Sequence, residues 1–308
     1  MNFNFRVLIF IIFLPLVGWA QKESFYIPPK SDSITLERYN RFLTQLKHGQ
    51  AEKDILKCYN PHHNIVCAYR ELKAPQHVIY EASLDYLRSD SVGCCRFMLH
   101  LDYEGRLDLA YSFKDKKTIA YFRKVCDSVY KRIDSNLIRR LVKIEERDQK
   151  VRGSHTPHEI FSTPRLQQEM IDLDTINLRE IDAIIKECGG YPSKKLVGDK
   201  YNNIIYLVIL HSPLNTQEQY LPLIRKAVFA GELVPNYLAT LEDRILFIKN
   251  KPQLYGTQIS YDKAKKQEAL YKWVGTLEDL EKRRDFMGME PLKNYLRRFN
   301  LEYPPSHD

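Results

Sequence analysis

The stretch Lys251-Pro252-Gln253-Leu254-Tyr255-Gly256-Thr257-Gln258 decides how the C-terminal half of this chain is interpreted. Two glutamines, a tyrosine and a threonine surround one glycine, directly after an apolar helical run. Amide and hydroxyl groups both donate and accept hydrogen bonds, so this loop suits sugars, peptides and other polyhydroxylated ligands. The alternative is an ordinary turn whose side chains face water.

Two helices are predicted to carry a charge on an otherwise apolar face. A charged side chain in that position is costly unless it is paired, so these charges are expected to meet each other or a ligand. The alternative is a purely structural ion pair. The predicted faces are Leu137, Leu141, Ile144, Asp148 and Val151 on one helix, and Tyr237, Leu241, Arg244 and Ile248 on the other.

His211 directly follows the most apolar stretch of the chain after its N-terminal segment, Ile204 to Leu210. We predict that this stretch is a helix, although periodicity alone does not exclude a buried strand. A histidine at a helix C-terminus is well placed to gain or lose a proton near neutral pH, as a general acid or base does. The alternative is a capping or core histidine.

A set of polar residues and glycines over about 136–300 forms a recognisable pattern. It comprises Asp148-Gln149-x-x-Arg152, Asn177-Leu178, Gly189 through Pro192, Val197-Gly198, His211, Gly231-Glu232, Asp243-Arg244, Gln253-x-Tyr255-Gly256-Thr257-Gln258, Arg284 and Gly288. In these residues the chain resembles an uncharacterised bacterial family, a domain of unknown function frequent in exported proteins of Bacteroidetes. The resemblance implies that these residues belong to one module, and it implies no activity.

We therefore predict a polar pocket in residues 136–300. One version is a hydrolase or lyase that acts on envelope material, and the alternative is a non-catalytic interaction or scaffold module. The predicted catalytic residues are His211 and Asp148, and the predicted ligand-binding residues are Arg244, Asp243, Gln253, Tyr255, Gln258 and Arg152.

The first 20 residues have the features of a secretory signal peptide. Arg6 is their only charge, an apolar run spans 7–17, and Gly18-Trp19-Ala20 offers a cleavage site. The run is shorter than the roughly 20 residues that span a bilayer, although an uncleaved anchor is the alternative. We predict an exported protein, periplasmic or extracellular, with no transmembrane segment after signal cleavage.

The mature chain is predicted to be α+β overall, in two domains. Residues 21–135 form a small α+β domain with a β-hairpin over 94–113, where apolar and polar residues alternate. Residues 136–308 form a mainly α-helical domain in which Leu254–Ser260 and 270–274 pair as a short hairpin.

The six cysteines include no CxxC pair, so they do not indicate a zinc site. Export makes disulfides possible. Their spacing allows a Cys58–Cys67 bridge or a bridge from Cys94 or Cys95 to Cys126, and buried free thiols are the alternative. His155 and His158 have no third ligand in view, so we predict neither a metal nor a cofactor.

The net charge of +8 arises largely in residues 114–152, which contain 13 basic and 6 acidic residues. Such a stretch suits anionic lipid or an acidic polymer, and a solvated helix surface is the alternative. Export argues against nucleic acid. The predicted partner is therefore a small polar ligand or an envelope component.

Overall fold

Helices make up nearly all the secondary structure of the protein, as the computed structural model describes it over residues 25–53, 59–98, 115–262 and 267–303. The one sheet among these residues is an antiparallel hairpin. In chain order the elements are α1 Leu36–Glu52, α2 Pro61–Glu71, α3 Gln76–Ser89, α4 Ser91–Met98, α5 Lys116–Tyr130, α6 Ser135–Arg152, α7 Pro157–Ser162, α8 Pro164–Cys188, α9 Lys194–Tyr201, α10 Ile204–His211, α11 Leu214–Phe229, α12 Pro235–Ile248, β1 Ile259–Asp262, β2 Gln267–Leu270, α13 Leu277–Phe286 and α14 Leu292–Arg297.

The predicted hairpin over 94–113 is wrong at its start, because residues 94–98 belong to helix α4. The Asp90 carboxylate accepts a hydrogen bond from the N–H of Gly93 at 2.9 Å, which satisfies a free donor of the first helical turn. Residues 99–114 lie outside the described part of the chain. The described residues before α6 are therefore helical, and the fold is mainly α with one small hairpin rather than α+β.

A disulfide between Cys95 and Cys126 joins α4 to α5. This is one of the two pairings to Cys126 that the spacing allows. Cys67 and Cys94 carry free thiols, and Cys58 lies outside the described residues. Burial raises the pKa of the Cys94 thiol to about 12, so this thiol is unreactive next to the bridge.

Helix α6 buries every member of its predicted face, including Asp148. It begins at an N-cap, Asp134, whose carboxylate accepts hydrogen bonds from the N–H groups of Asn136 at 2.8 Å and Leu137 at 3.0 Å. The N–H of Asp134 in turn donates to the carbonyl of Leu196 at 2.7 Å. The cap thus fixes both the start of α6 and its position against α9.

The main apolar core lies where α6 packs against α8 and α10. The apolar stretch before His211 is helical, as predicted, and five of the eight residues of α10 are buried. Because α10 packs in this core and ends at His211, the histidine lies beside the face of α6 that carries Asp148.

The hairpin after the glutamine-containing loop exists, but it lies closer to its turn than predicted. Ile259 pairs with Leu270 and Asp262 pairs with Gln267. Further out, Gln253 and Trp273 form an isolated bridge. The two segments predicted to pair therefore lie next to each other, but regular strand pairing is confined to β1 and β2.

The predicted signal peptide lies outside the described residues. Within the described ranges, no helix has both the length and the apolar character needed to cross a bilayer.

Candidate functional site

Asp148 and His211 form the central pair of the candidate site. The Nδ1 atom of His211 lies 3.0 Å from Oδ1 and 3.1 Å from Oδ2 of Asp148. The Asp148 side chain is 3% exposed, whereas the His211 side chain keeps 29% of its surface exposed. A buried carboxylate therefore faces one nitrogen of a ring that remains accessible to small molecules.

Two residues of the same helix complete the surroundings of the Asp148 carboxylate. Arg152, one turn later, donates from Nη1 to Oδ1 at 3.0 Å, and Gln149 donates from Nε2 to Oδ2 at 2.7 Å. Arg152 is fixed in turn by Asp174 of α8 through two hydrogen bonds of 2.8 and 2.6 Å. This fork-shaped contact is the strong, geometrically specific kind that arginine makes with a carboxylate.

These partners keep Asp148 ionised despite its burial. Burial raises the pKa of Asp148, but the hydrogen bond and charge of His211, followed by the charge of Arg152, bring the pKa below its ordinary value. An ionised Asp148 accepts the proton on Nδ1 of His211, so Nε2 is the ring nitrogen that this contact leaves available. No described serine, threonine or cysteine side chain hydrogen-bonds to His211, so the described residues do not form a nucleophile–histidine–aspartate triad.

Asp243 is the centre of a second network, built on α12 and the loop that follows it. Its buried carboxylate accepts the N–H groups of Leu254 at 2.6 Å, Tyr255 at 3.1 Å and Thr257 at 3.0 Å. It also accepts the Thr257 hydroxyl at 3.0 Å. Burial raises the pKa of Asp243, and the loop hydrogen bonds act in the opposite direction.

Gln253 is fully buried and uses its amide to hold the loop and hairpin together. Its Nε2 donates to the carbonyls of Gln258 at 3.1 Å and Tyr271 at 2.7 Å, and its Oε1 accepts the N–H of Gln258 at 2.8 Å. Both donor hydrogens are therefore used inside the protein. Gln258 turns its own amide to the Thr257 hydroxyl at 3.0 Å, and the hydroxyl of Tyr255 donates to Glu242 at 3.0 Å.

Arg284 of α13 is a further member of this network. Its side chain is fully buried, and it donates to the carbonyl of Tyr255 at 2.6 Å and to the carbonyl of Glu290 at 3.0 and 2.8 Å. Its guanidinium stacks over the ring of Tyr295, whose hydroxyl donates to the carbonyl of Thr257 at 2.9 Å. Desolvation lowers the pKa of Arg284. The loop is thus held by charged side chains on both sides.

The predicted site residues therefore fall into separate groups. Asp148, Arg152 and His211 come together across α6 and α10, so Asp148 is paired with Arg152 and His211 rather than with Arg244, the charge that the sequence suggested. The second group gathers around the loop and consists of Asp243, Gln253, Tyr255 and Gln258.

The predicted apolar face of α12 is wrong in part, because Leu241 is buried as predicted but Ile248 is exposed. Arg244 is exposed, whereas Asp243 is buried together with Leu238, Leu241 and Ile245. Leu238, Leu241 and Ile245 are spaced by three and four, as regularly as the predicted residues, so the sequence period did not distinguish the two faces; Asp243 lies beside this face and is covered by the loop that follows.

Three structural partners were not assigned a role from the sequence. Asp174 fixes Arg152, Gln149 contacts Asp148, and Arg284 supports the loop. Gln149 and Arg284 belong to the family pattern, which was the available signal. Nothing in the sequence indicated a role for Asp174, because its contact with Arg152 depends on the packing of α8 against α6.

A cavity of about 820 Å³ lies apart from both networks, between α2–α4 and the segment that joins α11 to α12. At its edge the Lys194 ammonium contacts Asp90 at 3.1 Å, so an ion pair links α9 to the N-terminal helices. None of the residues predicted for the site lines this cavity.

The fold and the site together define the class of protein: a helical module in which a buried aspartate contacts and orients a partly exposed histidine. Residues 135–304 match the model of a family of unknown function, DUF6624, and the chain belongs to this family. The expected family resemblance over about 136–300 is thereby confirmed. Neither a curated protein nor a solved structure matches the chain.

Proposed function

We propose that the family region acts on a small polar ligand and that Asp148 and His211 are its acid–base pair. The observation that carries this proposal is the contact of Nδ1 with both oxygens of a carboxylate that is 3% exposed. A carboxylate in this position holds the imidazole in one orientation and in one tautomer. The remaining nitrogen then moves a proton at the ligand.

Without a side-chain nucleophile bonded to the histidine, two reaction types fit. His211 would activate a water for hydrolysis, or it would transfer a proton directly in an elimination. Arg152 acts through Asp148 as a positioning residue, because Asp174 holds its guanidinium. We assign Arg244, the exposed cation of α12, to an anionic group of the ligand.

We further propose that the protein works outside the cytoplasm on envelope material. The apolar N-terminal segment and the Cys95–Cys126 bridge support this, since disulfides persist in oxidising compartments.

The test is a panel of chromogenic esters, phosphates and glycosides together with purified cell-wall fragments. For any substrate that is turned over, His211→Ala and Asp148→Asn should lower kcat/KM about 10²–10⁴-fold with the fold retained, as is typical for general acid–base groups. His158→Ala, which removes an exposed histidine of α7, is the matched control. Equal turnover in His211→Ala and the wild type would contradict the proposal.

The second candidate is a non-catalytic interaction or scaffold module. It is favoured by the loop after α12, whose buried Gln253 and Asp243 direct their hydrogen bonds into the protein itself. Under this alternative the panel gives no turnover, and His211→Ala acts mainly by lowering the melting temperature.

A further inference from the structure

A cluster of three metal-binding side chains connects the first helix to the C-terminal part of the chain. His48 and Glu52 lie one turn apart on α1, and Asp285 lies near the end of α13. The Nε2 atom of His48 is 3.0 Å from Oε1 of Glu52 and 3.6 Å from Oδ1 of Asp285. All three donor atoms lie within 4.8 Å of one another.

The two separations from His48 suit one tetrahedral metal ion. Zinc binds imidazole nitrogen and carboxylate oxygen at about 2.0–2.2 Å, which places neighbouring donors roughly 3.4 Å apart in a tetrahedron. The two distances from His48 fall on either side of that value. A mixed nitrogen and oxygen set also favours zinc over calcium or magnesium, which prefer oxygen ligands.

The burial of the three side chains fits a site that is anchored on one side and open on the other. The Glu52 side chain is 6% exposed, whereas His48 is 54% and Asp285 is 53% exposed. Two carboxylates converge here beside one imidazole. A divalent cation offsets both, which reduces the cost of burying the Glu52 carboxylate.

The same two regions are in close contact beside the cluster. Gly288, just after α13, lies so near the ring of Tyr59 that a Cβ atom there would come within 2.5 Å of it. The segment just before α2 therefore packs against the residues that follow α13, close to where the three ligands approach each other.

We propose that His48, Glu52 and Asp285 bind a zinc ion that fastens α1 to α13. This site is separate from the Asp148–His211 pair and does not depend on the proposed function. The fourth position is open to water, because two of the three ligands are largely exposed. The ion would hold the N-terminal helices on the family region.

The experiment is a calorimetric titration of the chelator-treated full chain with zinc chloride at pH 7.5. We expect one site. His48→Ala, Glu52→Gln and Asp285→Asn should each weaken binding at least about 10-fold, since even outer-shell partners of a metal are worth 10–100-fold. His48 and Asp285 are exposed, so their variants test the site even if Glu52→Gln does not fold.

A competing pair, His63 and Cys67, is the matched control. Their Nε2 and Sγ atoms are 3.5 Å apart on α2, and thiols also bind zinc. Cys67→Ser should leave the affinity unchanged. The proposal is overturned if Cys67→Ser abolishes zinc binding, if His48→Ala and Asp285→Asn bind zinc as the wild type does, or if the wild type does not bind.

A second readout is the melting temperature. A ligand that binds only the folded state stabilises it, so zinc should raise the melting temperature of the wild type and not of Asp285→Asn. Magnesium at the same concentration should have no effect. Equal shifts in the wild type and the variant would mean that zinc binds elsewhere.

Discussion

Asp243 accepts both the backbone N–H and the hydroxyl of Thr257 on the same carboxylate oxygen, each at 3.0 Å. Two further N–H groups of the loop point at this carboxylate. The glutamine-containing loop is therefore wrapped around a buried acid from α12. Its polar residues close a structural network, whereas the chemistry that we propose involves Asp148 and the partly exposed His211.

Replacing Asp243 by Asn should destabilise the protein by about 1–3 kcal/mol, the cost of leaving a buried group unsatisfied. Every contact to the carboxylate comes from a donor, so the amide NH₂ of Asn would face donors at either position. Urea unfolding measures the change. Asp172→Asn, at an exposed position of α8, is the control and should have little effect.

The contribution of Asp148 should depend on pH in a defined direction. Its folded pKa is below the ordinary value, so its stabilising effect is present at pH values above the unfolded pKa and is lost as the pH falls through the folded pKa. Asp148→Asn should cost about 1–3 kcal/mol at pH 7, because the neutral amide weakens the charge-assisted hydrogen bonds to Arg152 and His211.

That cost should shrink below about pH 4, where the unfolded aspartate begins to take up a proton. Unfolding of wild type and Asp148→Asn by urea, measured at intervals from pH 7 to pH 3, gives the difference directly. A difference that stays constant or grows towards low pH would contradict the proposed role of the ionised carboxylate.

Gly256→Ala should destabilise the protein more than Gly231→Ala does. Both glycines have positive φ, +70° and +73°, and an L-residue there costs about 1–2 kcal/mol. A Cβ at Gly256 would also lie 3.2 Å from Cδ1 of Leu292, whereas at Gly231 it meets nothing within 4 Å. Paired unfolding curves separate the backbone effect, common to both, from the packing effect; equal losses would contradict the tight packing.

Reduction of the Cys95–Cys126 bridge should lower the free energy of unfolding by about 2–4 kcal/mol, as is typical for removing a disulfide. The comparison is a urea titration with and without dithiothreitol. Cys126→Ser should unfold at the same urea concentration under both conditions. Identical wild-type curves in the two conditions would show that the bridge does not contribute.

The sequence was sufficient for the helix that carries Asp148, because five apolar-face positions at spacings of three and four leave one phase. It was insufficient for α12, where Leu238, Leu241 and Ile245 form a face as regular as the predicted one, and Asp243 rather than Arg244 is buried beside it. It also failed over residues 95–98, because four alternating residues are too few to establish the period of a strand. The hydrogen bond that the Asp90 carboxylate accepts from the N–H of Gly93 is typical of the start of a helix and favours the helix here.

Contacts between distant segments were beyond the sequence for a different reason. Asp174 reaches Arg152, and Asp285 reaches His48, only after separate helices have packed. No local spacing encodes such a meeting. The family pattern supplied part of this information by grouping Asp148, His211 and Asp243 in one module, but it did not separate the two networks to which they belong.

Asp134, the cap of α6, has a practical consequence for producing the family region alone. The family match begins at residue 135, one position after this aspartate. A fragment expressed from residue 135 would lack the cap, worth about 0.5–2 kcal/mol, and the hydrogen bond from Asp134 to Leu196. The boundary of sequence similarity is therefore a poor cloning boundary, and a useful fragment has to start upstream of Asp134.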